Sequence, residues 1–269
     1  MNYKELMRDR YQSLGLKFIN FMARTGGYRK TETVYGENHR HRFDSYLHLK
    51  PSGDRAKIIF LYGGGWQSGD RSDFRFVADT LCSLGFDVYV PDYRLYPEVR
   101  FDEILHDAVS AVDAIMNENE GTFFIMGHSA GAQLGALLAL NPDLLQSPER
   151  ISGFIGLAGP YDFYPFTEDE HWDLFAPEEM YPDSQPVNYV RADAPPLLLL
   201  HGRDDMRVRR GHSKSLMEKQ QAVGGQACRE VYDNMGHVDI ILSFTRLHRR
   251  KSKVVLDLQR FVVQHQQKL

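Results

Sequence analysis

"TFFIMGHSAGAQLGALLAL", residues 122–140, is the stretch on which the reading of this chain turns. A β-rich apolar run, Thr122–Met126, gives way without a linker to a helix-like apolar run, Ala130–Leu140, and Ser129 stands at the junction. Gly127 and Gly131 flank the serine two residues away on each side. A strand that turns into a helix over so few residues leaves little room for side chains, and glycines remove the Cβ atoms that would clash. Such a corner lifts the serine hydroxyl above the sheet. It also places the amide of Ala130 at a helix N-terminus, where negative charge is welcome. Two glycines near a serine can equally mark a plain turn, so the rest of the chain has to supply what a nucleophilic serine needs.

On either side of this corner the chain alternates between strand-like and helix-like segments. "RFDSYLHL" at 42–49 alternates apolar and polar residues, as a half-buried strand does. "KIIFLY" (57–62), "FDVYVPD" (86–92), "ISGFIGLAG" (151–159), "PPLLLLHG" (195–202) and "CREVYD" (228–233) are further strands. Helical spacing separates them at 71–85, 102–118, 130–140 and 210–223, and a closing helix spans 249–264. Residues 3–24 also carry helix-compatible apolar spacing. This alternation predicts an α/β fold with a mostly parallel central sheet and helices on both faces, built as one domain over residues 1–269. Residues 160–195, rich in aromatics, prolines and acids, interrupt the rhythm and read as a small cap or lid insertion.

In open sheets of this kind, working residues gather at the carboxyl ends of strands. Serine attacks well only when a base takes its proton. His237, in "YDNMGHVDII" just after the last strand, is placed to do so, and Asp204 and Asp205 follow another strand end and can fix its tautomer. The chain order serine, aspartate, histidine is that of α/β-hydrolases. "FLYGGGWQSGD" (60–70) offers a run of bare backbone amides after an early strand, so the amides of Gly64, Gly65 and Ala130 are candidates for an oxyanion hole. Tyr62 and Trp66 flank the glycines and are candidates for the substrate pocket, although Trp66 could equally pack behind the loop.

Taken together, "YGGGW", "DYRLYPE", "GHSAG" and "HGRDDMRV" resemble the α/β-hydrolase superfamily, in its esterase branch related to hormone-sensitive lipase and to kynurenine-formamidase-like enzymes. The resemblance covers roughly residues 40–265. Its spacing selects Asp205 over Asp204 as the triad acid, and it marks Tyr62 as a departure where the family usually carries histidine. It implies a serine hydrolase of carboxylic esters with small acyl groups, with Ser129 as nucleophile, His237 as base and Asp205 as its partner. An arylformamidase-like cleavage of a C–N bond is the alternative. A non-catalytic binding protein on the same fold would lack a triad member, and none is missing.

Composition sets the remaining bounds. The net charge of −4 makes no electrostatic case for nucleic acid, and the basic run at 246–253 reads as a solvated helix face. No apolar run approaches the ~20 residues of a membrane span. The N-terminal residues carry charges throughout rather than a secretory signal, and the two cysteines, Cys82 and Cys228, read as small buried hydrophobes; both point to a cytoplasmic protein. No histidine–carboxylate grouping has metal spacing and no glycine run has that of a phosphate loop, so neither metal nor cofactor is expected, and the expected partner is a small-molecule ester. His128 and His201 read as packing or loop-bonding residues, His212 as exposed, and Arg94 and Glu98 as loop-ordering. The acids Glu168, Asp169 and Glu170 in the insertion are expected to repel anionic substrates.

Overall fold

A computed structural model describes residues 19, 20, 23, 27–50 and 55–266. The helical spacing noted over 3–24 lies almost wholly outside the described residues. Eight strands form one sheet: β1 (Tyr28–Val34), β2 (Arg42–His48), β3 (Lys57–Leu61), β4 (Asp87–Pro91), β5 (Phe123–His128), β6 (Ile151–Leu157), β7 (Leu197–Gly202) and β8 (Ala227–Tyr232). Their order is β1-β2-β4-β3-β5-β6-β7-β8. β2 runs antiparallel to β1 and β4, and every other pairing is parallel. β5, β6 and β7 are buried at every position, which is why they read as unbroken apolar runs rather than alternating ones.

Helices cover both faces. Successive strand residues point to opposite sides. Phe124 meets Phe261 of the helix Lys253–His265, whereas a Cβ on Gly135 of the helix Ala130–Leu140 would touch Ile125. These two helices therefore lie on opposite faces. The helix Ala130–Leu140 is buried on all sides, with the helix Phe101–Glu118 packed beside it.

Some expectations need correction. β1, "YRKTETV", is a largely exposed edge strand held by its pairing with Arg42–His48; without an apolar face it left no periodic signal. Residues 247–251 form turns rather than a helix face, Arg249 reaches the buried Asp79 at 3.1 Å, and the closing helix starts only after Ser252, whose hydroxyl caps it. Cys82 is buried, but Cys228 is exposed, because β8 ends the sheet and turns alternate residues outward.

Segment 160–195 enters between β6 and β7. It holds the short helix Asp169–Leu174 and three single 3-10 turns, Glu178–Met180, Pro182–Ser184 and Pro186–Tyr189. Its rings form a core of their own. Phe166 stacks on Phe175 at 5.0 Å, and Tyr181, Trp172 and Phe163 close around them. Tyr161 instead joins the main core against Phe154. Asp162 ties the segment to the helix Gly211–Ala222 through Ser215 and Lys219.

Candidate active site

Ser129 sits at the corner between β5 and the helix Ala130–Leu140, with φ 53° and ψ −124°. Positive φ is uncommon for a residue with a Cβ and costs roughly 1–3 kcal/mol, so the surroundings must hold it. Its N–H donates to Leu157 O at 2.9 Å, and its own carbonyl accepts from Ala132 N at 2.9 Å. The flanking glycines supply close approach. A Cβ on Gly127 would come within 2.5 Å of Ala132 Cα, and one on Gly131 within 2.5 Å of the Leu61 carbonyl carbon. The small residues around the serine therefore let the helix start directly against β3 and β5.

His237 is the first residue of the short helix His237–Leu242, whose N-terminus is capped by Asp239 accepting from Gly236 N at 2.7 Å. The histidine expected just after the last strand thus has a helical anchor. Asp204 N donates to Met235 O at 2.9 Å and fastens the histidine loop to the end of β7. The Ser129 hydroxyl lies 2.8 Å from His237 Nε2, and His237 Nδ1 lies 2.8 Å from Asp205 Oδ2. A proton on Nδ1, donated to Asp205, leaves Nε2 free to accept the serine proton.

Asp205 is fully buried and saturated with donors. Oδ1 accepts from Arg207 N and Val208 N, both at 2.9 Å, and Oδ2 accepts from His237 and lies 3.2 Å from His201 Nε2. Burial opposes its ionisation, but the hydrogen bonds from His201 and His237 outweigh that and hold the carboxyl well below the usual carboxylate range. Asp204 is exposed, and no ion pair involves it among the described residues. The structure thus brings Ser129, His237 and Asp205 into line and leaves Asp204 out.

His128 lies beneath this line. Its Nε2–H donates to the His237 carbonyl at 3.2 Å, and its ring lies 5.1 Å from that of His237. Burial, reinforced by the neighbouring His237, pushes its pKa down to about 3, so it is neutral. The expected packing role therefore includes a tether on the His237 backbone. His201, also fully buried, spans Asp205 and Val208 O at 3.0 Å and braces the acid's loop.

The glycine loop follows β3. Gly64 and Gly65 have φ of 153° and 62°, a conformation suited to glycine. Among the described residues neither amide has an acceptor, and helix geometry leaves the Ala130 amide free in the first turn. The loop is braced from below. Tyr62 is fully buried, stacked between Tyr93 at 4.9 Å and Phe74 at 5.3 Å, and its hydroxyl donates to Asp92 at 2.7 Å. Arg40 donates to the Tyr62 hydroxyl at 3.2 Å, to Gly69 O at 2.5 Å and to Tyr93 O at 2.8 Å. Tyr62 is therefore a support inside the fold and not a wall of the substrate pocket. Arg40, 22 residues upstream of it, carried no motif that sequence reading could use.

Trp66 is nearly buried. Its indole N–H donates to Gln133 at 3.1 Å, and its ring stacks on Phe163 at 6.1 Å and meets Phe175 edge-on at 5.1 Å. It joins the glycine loop to the insertion, so packing describes it better than pocket lining. Arg94 makes a bidentate pair with Asp107, and Glu98 accepts from Asn38, both ordering the 92–98 loop. His212 is half-buried rather than exposed, because its Nδ1 lies 2.5 Å from Asp162 O.

A sheet in this order, with a strand–serine–helix corner at the end of β5, has the α/β-hydrolase fold. Within that class the BD-FAE family model matches residues 43–220, and the chain belongs to that family. The matched stretch holds Ser129 and Asp205, and His237 lies beyond it. The chain is 25% identical over 241 residues to an isoprenylcysteine alpha-carbonyl methylesterase of Arabidopsis thaliana, covering 78% of this chain and 56% of that one. It is 30% identical over 134 residues to the kynurenine formamidase of Drosophila melanogaster, covering 48% of this chain and 44% of that one. The chain spans about half the length of these curated relatives. Its fold is similar to that of a carbohydrate esterase from gut microbiota in truncated form, with a TM-score of 0.74 at 18% identity over 91% of this chain and 99% of that one. Esterase 2 of Thermogutta terrifontis gives a TM-score of 0.72 at 21% identity over 90% and 96%. Among the described residues no helix is long and apolar enough to cross a membrane.

Proposed function

We propose that the protein hydrolyses carboxylic esters through an acyl-enzyme on Ser129. The observation that carries this reading is the unbroken line from Ser129 Oγ through His237 to Asp205, with both hydrogen bonds at 2.8 Å. His237 Nε2 takes the hydroxyl proton as Oγ attacks the ester carbonyl. The negative charge that develops on the carbonyl oxygen is received by the amides of Gly64, Gly65 and Ala130. Asp205, ionised, stabilises the imidazolium and holds its orientation. The imidazolium gives its proton to the departing alcohol. Water then attacks the acyl-enzyme by the same route and frees the acid. The family and the esterase names of its relatives support the reaction class.

The preferred acyl group in this reading is short. Phe163 and Phe175 pack on Trp66, Phe166 packs on both of them, and the three fill the insertion side of the glycine loop, in place of a long acyl channel. In this role segment 160–195 is a cap over the site. Cleavage of a formamide C–N bond is the second reading, favoured by the 30% identity to a kynurenine formamidase.

The test is a series of p-nitrophenyl esters with wild type and Ser129→Ala. An optimum between acetyl and butyryl is expected, with turnover lost by several orders of magnitude in the variant and with a fluorophosphonate adduct on Ser129. Retention of a tenth of the turnover by Ser129→Ala would remove the serine from its role. An optimum at eight carbons or longer would make the enzyme a lipase, and preference for N-formylkynurenine over every ester would favour the formamidase reading.

A further inference from the structure

We infer that Arg207 and Arg209 form an anion-binding rim on the candidate active site, selecting esters that carry a free carboxylate at their far end. The inference rests on the esterase reading above and names its substrate class.

The loop that leaves β7 runs Asp205-Met206-Arg207-Val208-Arg209-Arg210. Arg207 and Arg209 are exposed, and neither has an acid partner among the described residues. The exposed Asp204, three residues before Arg207, pairs with neither. Arg203, on the same stretch after β7, is by contrast neutralised by Asp233.

Both residues border the candidate site. The Arg207 N–H donates to Asp205 Oδ1 at 2.9 Å, which sets its backbone one step from the aligned Ser129, His237 and Asp205. The Arg209 carbonyl accepts from His212 N at 3.0 Å, and the His212 ring lies 6.5 Å from that of Phe163. Phe163 in turn stacks on Trp66 at 6.1 Å. Arg207 thus marks the triad end of this edge and Arg209 the insertion end.

The opposite edge has the opposite sign. Glu170 accepts from Gln67 at 2.8 Å, two residues beyond Gly65, and Glu168 and Asp169 adjoin it. Glu170, one of the acids expected from sequence to repel anions, therefore lies on the glycine-loop side. A substrate with one charged end meets repulsion there and attraction over the acid loop, which orients it. Arginine suits this work because its planar fork pairs with a carboxylate through two parallel bonds.

The experiment compares monoethyl with diethyl esters of succinate, glutarate and adipate. With wild type, kcat/KM should favour the half-esters by about tenfold at low salt, and the preference should shrink as ionic strength rises past about 0.1 M. Arg207→Gln/Arg209→Gln should abolish the preference, Arg207→Glu/Arg209→Glu should reverse it, and the double lysine variant should keep most of it. Titration calorimetry on Ser129→Ala reads binding without turnover and should show the same ranking. Equal binding of half-esters and diesters, or binding of neither, would overturn the rim. If Ser129→Ala discriminates the half-esters while wild type hydrolyses no ester, the esterase reading fails and the rim stands.

Discussion

Replacing Asp205 by asparagine keeps the size of the side chain and changes only its hydrogen bonding, so it isolates the logic of the site. Oδ1 now serves two backbone N–H groups at 2.9 Å, and Oδ2 faces two histidine nitrogens at 2.8 and 3.2 Å. Asparagine has one oxygen to divide between these pairs. Turning its NH₂ toward Arg207 N and Val208 N would set donor against donor and take the acceptor from both N–H groups, at a cost that is larger for the part-buried Val208 N–H than for the exposed one of Arg207. Turning it toward the histidines is cheaper, because the ring of His237 can shift its proton from Nδ1 to Nε2. That tautomer cannot accept a proton from Ser129. We therefore expect kcat for a short p-nitrophenyl ester to fall by about 10⁴, the size of the effect where a triad aspartate has been changed this way, or about 5.4 kcal/mol in the barrier. Asp204→Asn leaves the Asp204 N–H to Met235 O intact and should change the barrier by less than about 0.5 kcal/mol. The assay is kcat referred to titrated active sites, with circular dichroism to confirm that both variants fold. If Asp205→Asn keeps more than about a hundredth of the rate, or Asp204→Asn falls as far, the tautomer argument is wrong.

Tyr62→Phe removes the bond to Asp92 from beneath the glycine loop and should lower stability by about 1–3 kcal/mol in urea unfolding, with a measurable fall in kcat; no change in either would make Tyr62 a packing residue only. His128 gives a pH signature. Its folded pKa of about 3 lies below the unfolded value of 6.5, so as pH falls the unfolded chain takes up the proton first, and stability declines between those two values. The slope should approach about 1.4 kcal/mol per pH unit well below the upper value, and His128→Gln should be flatter by that amount between about pH 5.5 and 4.5; equal slopes would refute the buried neutral histidine.

What could be read from the sequence follows from how local each physical demand is. The corner at Ser129 was legible because its steric conditions fall within five residues, Gly127 to Gly131, and close approach to Leu61 and Ala132 admits nothing larger there. The strands β3 to β7 were legible because burial on both faces writes itself as an apolar run. β1 was not, since its seven residues are mostly exposed and its order comes from the partner strand 14 residues downstream of its centre. The same contrast divides the site. Asp205 and His237 announced themselves by position after strands and by spacing. His201 could be recognised as a loop-bonding histidine, but not as a second support for the Asp205 carboxylate.

The residues hardest to read are those that hold other residues in place across long separations. Arg40 grips Tyr62, Gly69 and Tyr93 over 22 to 53 positions. His128 holds the backbone of His237 over 109. Trp66 meets Gln133 over 67, and Gln133 passes the contact to Ser184 at 2.7 Å. None of these pairs has a periodicity or a motif, because the sheet alone makes them neighbours. They also explain how Tyr62 can stand where the family usually has histidine. A loop of glycines has no side chains with which to hold its own shape, so its support must come from beneath. A tyrosine hydroxyl bonded to Asp92 and Arg40, with its ring pinned between Phe74 and Tyr93, meets that requirement. The residue that fills this position is therefore constrained by the buried network it joins, and a change there needs matching partners at Arg40 and Asp92 before the loop of Gly64 and Gly65 can keep its shape.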